Sequence, residues 1–137
     1  KGASDGLGPA ARFSSPRGLA LAADGCRLFV ADTGNHAVRA VDSRGSVSTA
    51  AGSGTARWED GLGTAAAVSS PHSVPVDALG NTYVSDCGNN RVRKILPSGL
   101  VTTLAGSGTA AIESEWMPLL VRNWSLPSAQ SLSQSDR

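Results

Sequence analysis

The sequence is poor in the residues that metal centres and catalytic sites most often use. Its 137 residues include two histidines, two cysteines, three tryptophans, two phenylalanines and one tyrosine, with a net charge of +1. The histidines form no H-E-x-x-H zinc motif and no G-x-S-x-G nucleophile elbow occurs. The cysteines match neither a metal-ligand spacing nor a disulfide framework. The small net charge argues against strong attraction to nucleic acid, and no apolar run is long enough to span a bilayer.

Glycine is abundant, and part of the sequence is repeated. The chain has 16 glycines, and the hexapeptide AGSGTA occurs twice. Asp5–Gly25 matches Asp60–Gly80 at 11 of 21 positions, and Arg27–Ala56 matches Asn81–Ala110 at 15 of 30. About half of the positions therefore recur, which indicates one structural unit of 54–55 residues present twice.

Each unit contains four short apolar segments separated by turn residues, which predicts four strands. The predicted strands are Gly18–Ala22, Arg27–Asp32, Ala37–Asp42 and Val47–Ala51, then Ser73–Asp77, Thr82–Asp86, Arg91–Leu96 and Val101–Ala105. Several are apolar on both faces, which is typical of a sheet covered on both sides. Four antiparallel strands stacked on the next unit describe a blade of a β-propeller. We therefore predict an all-β fold, a β-propeller fragment of two four-stranded blades with an irregular C-terminal tail.

The predicted organisation follows the repeat. Residues 1–17 are a partial interblade linker and the entry to the first blade, residues 18–56 the first blade, and residues 57–110 a linker and the second blade. Residues 111–137 do not continue the repeat and are predicted to be a poorly ordered tail. Propellers close with about four to eight blades. Two blades are therefore expected to belong to a larger protein or to associate through their uncovered faces.

The two units resemble the NHL repeat, a family named after its Asn-His-Leu signature. The resemblance rests on Pro16-x-Gly18-Leu19, Phe29-Val30-Ala31-Asp32 and Asn35-His36-Ala37-Val38-Arg39. The second copy departs from it with Asn90 in place of the signature histidine. The resemblance implies a β-propeller, commonly six-bladed. Some relatives of this fold are lactonases or lyases with a metal in the central channel, and some members bind RNA.

The second glycine-rich segment also matches a nucleotide-binding pattern. Gly106–Ala111 reads G-x-G-x-x-A after a predicted strand, but the dinucleotide fingerprint needs a following helix and an acidic residue about 20 positions later. Pro118 interrupts the next segment, and no carboxylate lies between Glu115 and Asp136. We interpret the glycines as positive-φ positions where the chain leaves a blade.

The connections between blades and the turns after the second strands share one face of a propeller. This places five candidate binding residues on one rim: Arg17, His36, His72, Asn90 and Arg91. His36 is expected to pack or to hydrogen-bond within its own blade. The turns beginning at Asp32 and Asp86 are interpreted as structural, with each carboxylate accepting hydrogen bonds from amides of its own turn. Because Arg93 recurs as Arg39, at least one of the three cations Arg91, Arg93 and Lys94 is expected to be structural.

The sequence favours a protein- or ligand-binding module over an enzyme, with no catalytic residue, metal ligand or cofactor assigned. One alternative is a lactonase- or lyase-like enzyme with His72 and Asp77 near a channel site. Another is RNA binding by the rim from Arg91 to Lys94, disfavoured because no base-stacking aromatic residue stands beside these cations. The partner is thus predicted to be a protein or a small molecule, and nucleic acid is not favoured.

The cysteines are predicted to be free thiols. Cys26 precedes the second strand of its blade, whereas Cys87 follows the matching strand of the next blade. About five residues of strand, at about 3.3 Å each, place them on opposite propeller faces. A disulfide requires Cα atoms within about 7 Å of each other.

Overall fold

A computed structural model describes residues 1–110, which form two antiparallel β-sheets. The first sheet has the order β1-β5-β4-β3-β2, and the second the order β6-β9-β8-β7. The strands are β1 (Gly6–Leu7), β2 (Pro16–Leu21), β3 (Arg27–Asp32), β4 (Ala37–Asp42), β5 (Ser46–Ala51), β6 (Gly61–Leu62), β7 (Thr82–Asp86), β8 (Arg91–Ile95) and β9 (Leu100–Ala105). The all-β prediction is confirmed. The predicted tail, residues 111–137, lies outside the described residues. Within residues 1–110, no helix is long and apolar enough to cross a membrane.

The segment predicted as a linker contributes a short strand to each sheet. Gly6 of β1 pairs with Val47 of β5, and Gly61 of β6 pairs with Val101 of β9. Each two-residue strand thus forms the edge of the sheet that follows it in the sequence. Two residues are too few to show strand periodicity, so the sequence pattern did not reveal these strands.

The predicted strand Ser73–Asp77 is wrong as a continuous strand. In place of a continuous strand pairing, isolated bridges from Pro71 to Asp86 and from Val76 to Thr82, with scattered hydrogen bonds, join this part of the chain to β7. Pro75 accepts a hydrogen bond from the Tyr83 amide at 2.9 Å, but it has no N–H to donate in return. In the first repeat, Ala20 takes the place of Pro75 and pairs with Phe29 within β2 and β3. The other seven predicted strands are confirmed, with small shifts at their ends.

The hydrophobic core lies between the two repeats. Eight buried residues form it: Ala31, Val38 and Ala51 from the first sheet, with Ala66, Val74, Val84, Ile95 and Val101 from the second repeat. These side chains are small, so the layers approach closely. Gly18 shows how closely, because an added Cβ would collide with the carbonyl oxygen of His72 in the second repeat. Gly52 and Gly106 have φ values of 101° and 99°, as predicted for the chain leaving a blade.

Each repeat contains a buried arginine that joins its strands to the preceding segment. Arg93 Nη1 donates to Asp86 Oδ2 and to the Ala67 carbonyl, both at 2.9 Å. Its Nη2 donates to the Glu59 carbonyl at 2.8 Å and to Asp60 Oδ1 at 2.7 Å. The same four kinds of contact surround Arg39 in the first repeat. Both arginines are therefore structural, and Arg93 is the rim cation for which the recurrence as Arg39 predicted this role.

The buried aspartates complete this network. Asp86 accepts the Ser69 amide at 2.7 Å and Asn89 Nδ2 at 2.8 Å, in addition to Arg93. Asp32 has the equivalent three donors. The prediction that backbone amides of the same turn bind these carboxylates is wrong, because the amide comes from a residue 17 or 18 positions earlier. Each aspartate therefore fixes the path by which the chain enters its repeat.

Cys26 directly precedes β3, and Cys87 directly follows β7. Both side chains are exposed, and neither is in a disulfide, which confirms the prediction of free thiols.

Replacing the buried arginine should unfold or strongly destabilise the protein. Arg93→Ala would leave Asp86 buried without its cation, a change that typically costs about 3–5 kcal/mol. Arg91→Ala on the same strand is the matched control, and it should lower the free energy of unfolding by about 1 kcal/mol or less. Urea unfolding followed by circular dichroism measures both. Equal midpoints for the two variants would contradict the structural role of Arg93.

Candidate binding surface on the second repeat

The turn after β7 positions Arg91, the first residue of β8, at one end of the strands of the sheet. It is a 3-10 turn over Cys87–Asn89, and Asn90 ends it in the left-handed conformation with φ of 52°. The equivalent turn in the first repeat ends at His36 with φ of 51°. The buried Asp86 and Arg93 hold this turn, so Arg91 begins its strand from a fixed backbone.

Arg91 stacks on an exposed tryptophan. Its guanidinium carbon lies 4.3 Å from the centroid of the Trp58 ring. Arg91 Nη2 donates to the Ser107 carbonyl at 2.9 Å, and Trp58 Nε1 donates to Thr103 Oγ1 at 2.9 Å. Trp58 remains 46% exposed. The pair is therefore preorganised and accessible, and the expectation that no aromatic residue stands beside the rim cations is wrong.

This pair exists only in the second repeat of the two described. The residues aligned with Trp58 and Arg91 are Ala3 and Ala37. Gly108 accommodates the pair, since an added Cβ would lie 2.5 Å from Arg91 Nη1. The buried arginine network is the same in both repeats, whereas this surface differs. It is thus the part of the second repeat that the blade geometry does not require.

Asn90 and Arg91, two of the five predicted rim residues, lie together beside this pair. Asn90 Nδ2 donates to the Gly108 carbonyl at 3.4 Å. Both line a shallow depression of about 460 Å³, together with Cys87 and Gly106.

The other three predicted rim residues do not line this depression. His36 Nδ1 accepts the Ser70 amide at 3.0 Å, so His36 joins the two repeats rather than bonding within its own blade. The His72 amide donates to the Ser85 carbonyl at 3.1 Å, and an added Cβ on Gly18 would collide with the His72 carbonyl. Arg17 is exposed on β2. Among the described residues, no hydrogen bond joins these three to Arg91.

Asp77, which the enzyme alternative placed near a channel site, binds its own turn. Its Oδ1 accepts the amides of Leu79 and Asn81, and its Oδ2 accepts Asn81 Nδ2 and the Tyr83 hydroxyl, all at 2.9 Å. These hydrogen bonds, led by the Asn81 side chain, lower the pKa of Asp77 to about 2. The hydrogen bond to Asp77 raises the pKa of Tyr83. An ionised carboxylate with both oxygens occupied stabilises the turn and is poorly suited to act as a general acid.

Curated proteins with NHL repeats are similar in sequence to this chain. No protein-family model matches the chain. It is 33% identical over 91 residues to NHL repeat-containing protein 2 of Bos taurus, covering 65% of this chain and 12% of that protein. It is 32% identical over 95 residues to the chloroplastic Protein SUPPRESSOR OF QUENCHING 1 of Arabidopsis thaliana, covering 69% and 9%. The chain therefore spans only about a tenth of the length of these curated relatives.

Solved structures share the fold. An auxiliary nutrient binding protein from Bacteroides ovatus aligns with a TM-score of 0.59 and 24% identity, covering 68% of this chain and 26% of that one. A streptogramin B lyase aligns with a TM-score of 0.53 and 13% identity, covering 76% and 30%. The described residues are thus a segment of a β-propeller. As the similarity to NHL repeat-containing protein 2 indicates, the two repeats of this chain are NHL repeats.

Acid should remove the contribution of Asp77 to stability. Because its folded pKa is about 2, below the ordinary value of 3.8, the contribution is fully present above about pH 4 and is lost as the pH falls towards 2. Asp77→Asn should be less stable than wild type at pH 7, and this difference should shrink between pH 4 and pH 2. Urea unfolding at several pH values measures it. A difference that stays constant with pH would contradict the role of the carboxylate.

Proposed function

We propose that this chain is a protein-binding module in which the partner contacts Trp58 and Arg91 of the second NHL repeat. The main observation in support is an exposed tryptophan with an arginine stacked on it, found in one repeat and not in the other. Tryptophan and arginine are among the residues most enriched in interface hot spots. The blades at residues 18–56 and 57–110 serve as the rigid frame for this surface.

The contacts of Arg91 support binding with little loss of conformational freedom. Two backbone carbonyls, of Asn89 and Ser107, already hold the guanidinium over the Trp58 ring. Side chains that are ordered before binding lose less entropy when the partner arrives. The guanidinium has five N–H donors, so further donors remain for a carboxylate or carbonyl of the partner. A peptide segment that places an acidic group beside an apolar one fits this chemistry.

Two other functions are less well supported. Small-ligand binding draws on fold likeness to structures described as nutrient binding proteins, at 22% and 24% identity. The lactonase- or lyase-like alternative places Asp77 near its site, but this carboxylate already accepts four hydrogen bonds. RNA binding gains one observation, because Trp58 offers an aromatic face for a base. The net charge of +1 still disfavours RNA.

A phage-displayed peptide library selected on the immobilised chain tests the proposal. Enriched peptides should carry an acidic residue, and their affinity should fall at least about tenfold in Trp58→Ala and in Arg91→Ala, as expected for hot-spot residues. Arg44→Ala, which removes an exposed arginine from the first repeat, is the matched control and should bind like wild type. Fluorescence anisotropy with the synthetic peptides measures affinity, and urea unfolding verifies that each variant folds.

The proposal fails if no selected peptide depends on Trp58. A labelled single-stranded RNA oligonucleotide is the parallel probe. If that RNA binds with strong salt dependence and loses affinity in Trp58→Ala, while the peptides do not, the surface binds RNA instead.

A further inference from the structure

The junction between the two described repeats shows how one NHL repeat receives the next. The second repeat places Val68–Pro71, here called its entry segment, against the first repeat. The Ser70 amide donates to His36 Nδ1 at 3.0 Å, and Thr33 Oγ1 donates to the Pro71 carbonyl at 2.6 Å. The Gly52 amide donates to the Gly63 carbonyl at 3.3 Å. The junction thus combines an apolar core with three hydrogen bonds at one rim.

The first repeat carries an equivalent entry segment, Phe13–Pro16, in the same conformation. Ser15 has φ of 50° and Ser70 has φ of 49°. The Ser14 amide donates to Asp32 Oδ1 at 2.8 Å, as the Ser69 amide does to Asp86 Oδ1 at 2.7 Å. Since each segment is fixed by the aspartate of its own repeat, Phe13–Pro16 is already arranged for insertion.

The face of the first repeat that carries this segment is uncovered among the described residues. Leu19 is 68% exposed, whereas its equivalent Val74 is 2% exposed in the junction. Leu28 is also exposed, and its equivalent Thr82 is buried. We call this the entry face.

The opposite face of the second repeat, here called the receiving face, is also uncovered among the described residues. Val92 is 39% exposed, whereas its equivalent Val38 in the junction is fully buried. The 460 Å³ depression lies on this face, and every residue lining it is the equivalent of a residue of β3, the following turn, β4 or the end of β5. It is therefore the counterpart of the site that holds Val68–Pro71 in the first repeat.

Side chains of the receiving face remain compatible with an entry segment. Asn90 stands where His36 accepts the Ser70 amide; its Nδ2 faces the Gly108 carbonyl, so its Oδ1 can accept an amide. Arg91 replaces the small Ala37, but Trp58 and the Ser107 carbonyl hold its guanidinium.

We propose that the receiving face binds the entry segment Phe13–Pro16 of a second copy of this chain. The described residues of each copy carry one face of each kind, so the contact is head-to-tail and the faces are not self-complementary. Such contacts repeat until a ring closes, and a propeller of about four to eight blades would close with two to four copies. This inference does not require the partner proposed for Trp58 and Arg91.

Matched charge substitutions on the full 137-residue chain test the inference. Leu19→Glu should disable the entry face, and Val92→Glu the receiving face; both side chains are exposed, so each variant should fold. Leu62→Glu is the control, because Leu62 is 61% exposed and its equivalent Leu7 is 62% exposed, so the junction does not cover this position. Analytical ultracentrifugation over a wide range of concentration measures association, and circular dichroism verifies the fold.

Wild type and Leu62→Glu should form assemblies of two to four copies, whereas each single-face variant should be monomeric. An equimolar mixture of Leu19→Glu and Val92→Glu should form a dimer and nothing larger, since the two variants retain one complementary pair of faces. A monomeric wild type, a mixture that stays monomeric, or association of Leu19→Glu with itself would overturn the inference.

Discussion

A buried arginine–aspartate pair in each repeat is the interaction on which the rest of the described structure depends. Arg39 and Arg93 lie in an interior built from small apolar side chains, where an isolated charge would be very costly. The pair is stable there only because neighbouring groups satisfy it: a second carboxylate, two backbone carbonyls and an asparagine. Nε of both arginines has no partner among the described residues, so the two Nη groups make all of the polar contacts.

This requirement explains why the segment that precedes each blade in the sequence is part of that blade's sheet. The guanidinium needs the carbonyl of Glu59 and the carboxylate of Asp60, so the chain must return to the outer edge of its own sheet before it enters the first strand. Once there, Gly61 can pair with β9. The aspartate then binds the amide of Ser69 and directs the entry segment towards the neighbouring repeat. One charge cluster thus sets both the width of a blade and its contact with the preceding blade.

The repeat made most of the fold predictable from the sequence, because each strand is supported by a second copy. Sequence pattern failed where one residue overrides it: Pro75 removes a donor in a segment that otherwise matches a strand. It also missed the Trp58–Arg91 pair, whose members lie 33 positions apart and meet only because the edge strand brings the linker beside β9. Comparison of the two copies held a signal for it, since Ala3 and Ala37 are both replaced by large side chains. Two replacements at separate positions do not indicate contact without the fold.

The turn after the second strand has one end that is the same in both copies and one end that differs, and the two ends have different roles. Asp32 and Asp86 begin the turns and are the same, because the entry path of each repeat depends on them. His36 and Asn90 end the turns and differ, although both take the left-handed conformation. His36 is used within the described residues as an acceptor for the next repeat, while Asn90 and Arg91 face a surface that these residues leave open. A position can change its side chain here without altering the backbone, since the aspartate and the buried arginine already fix the turn. This is why the same scaffold can join repeats at one turn and carry different side chains on an open surface at the next.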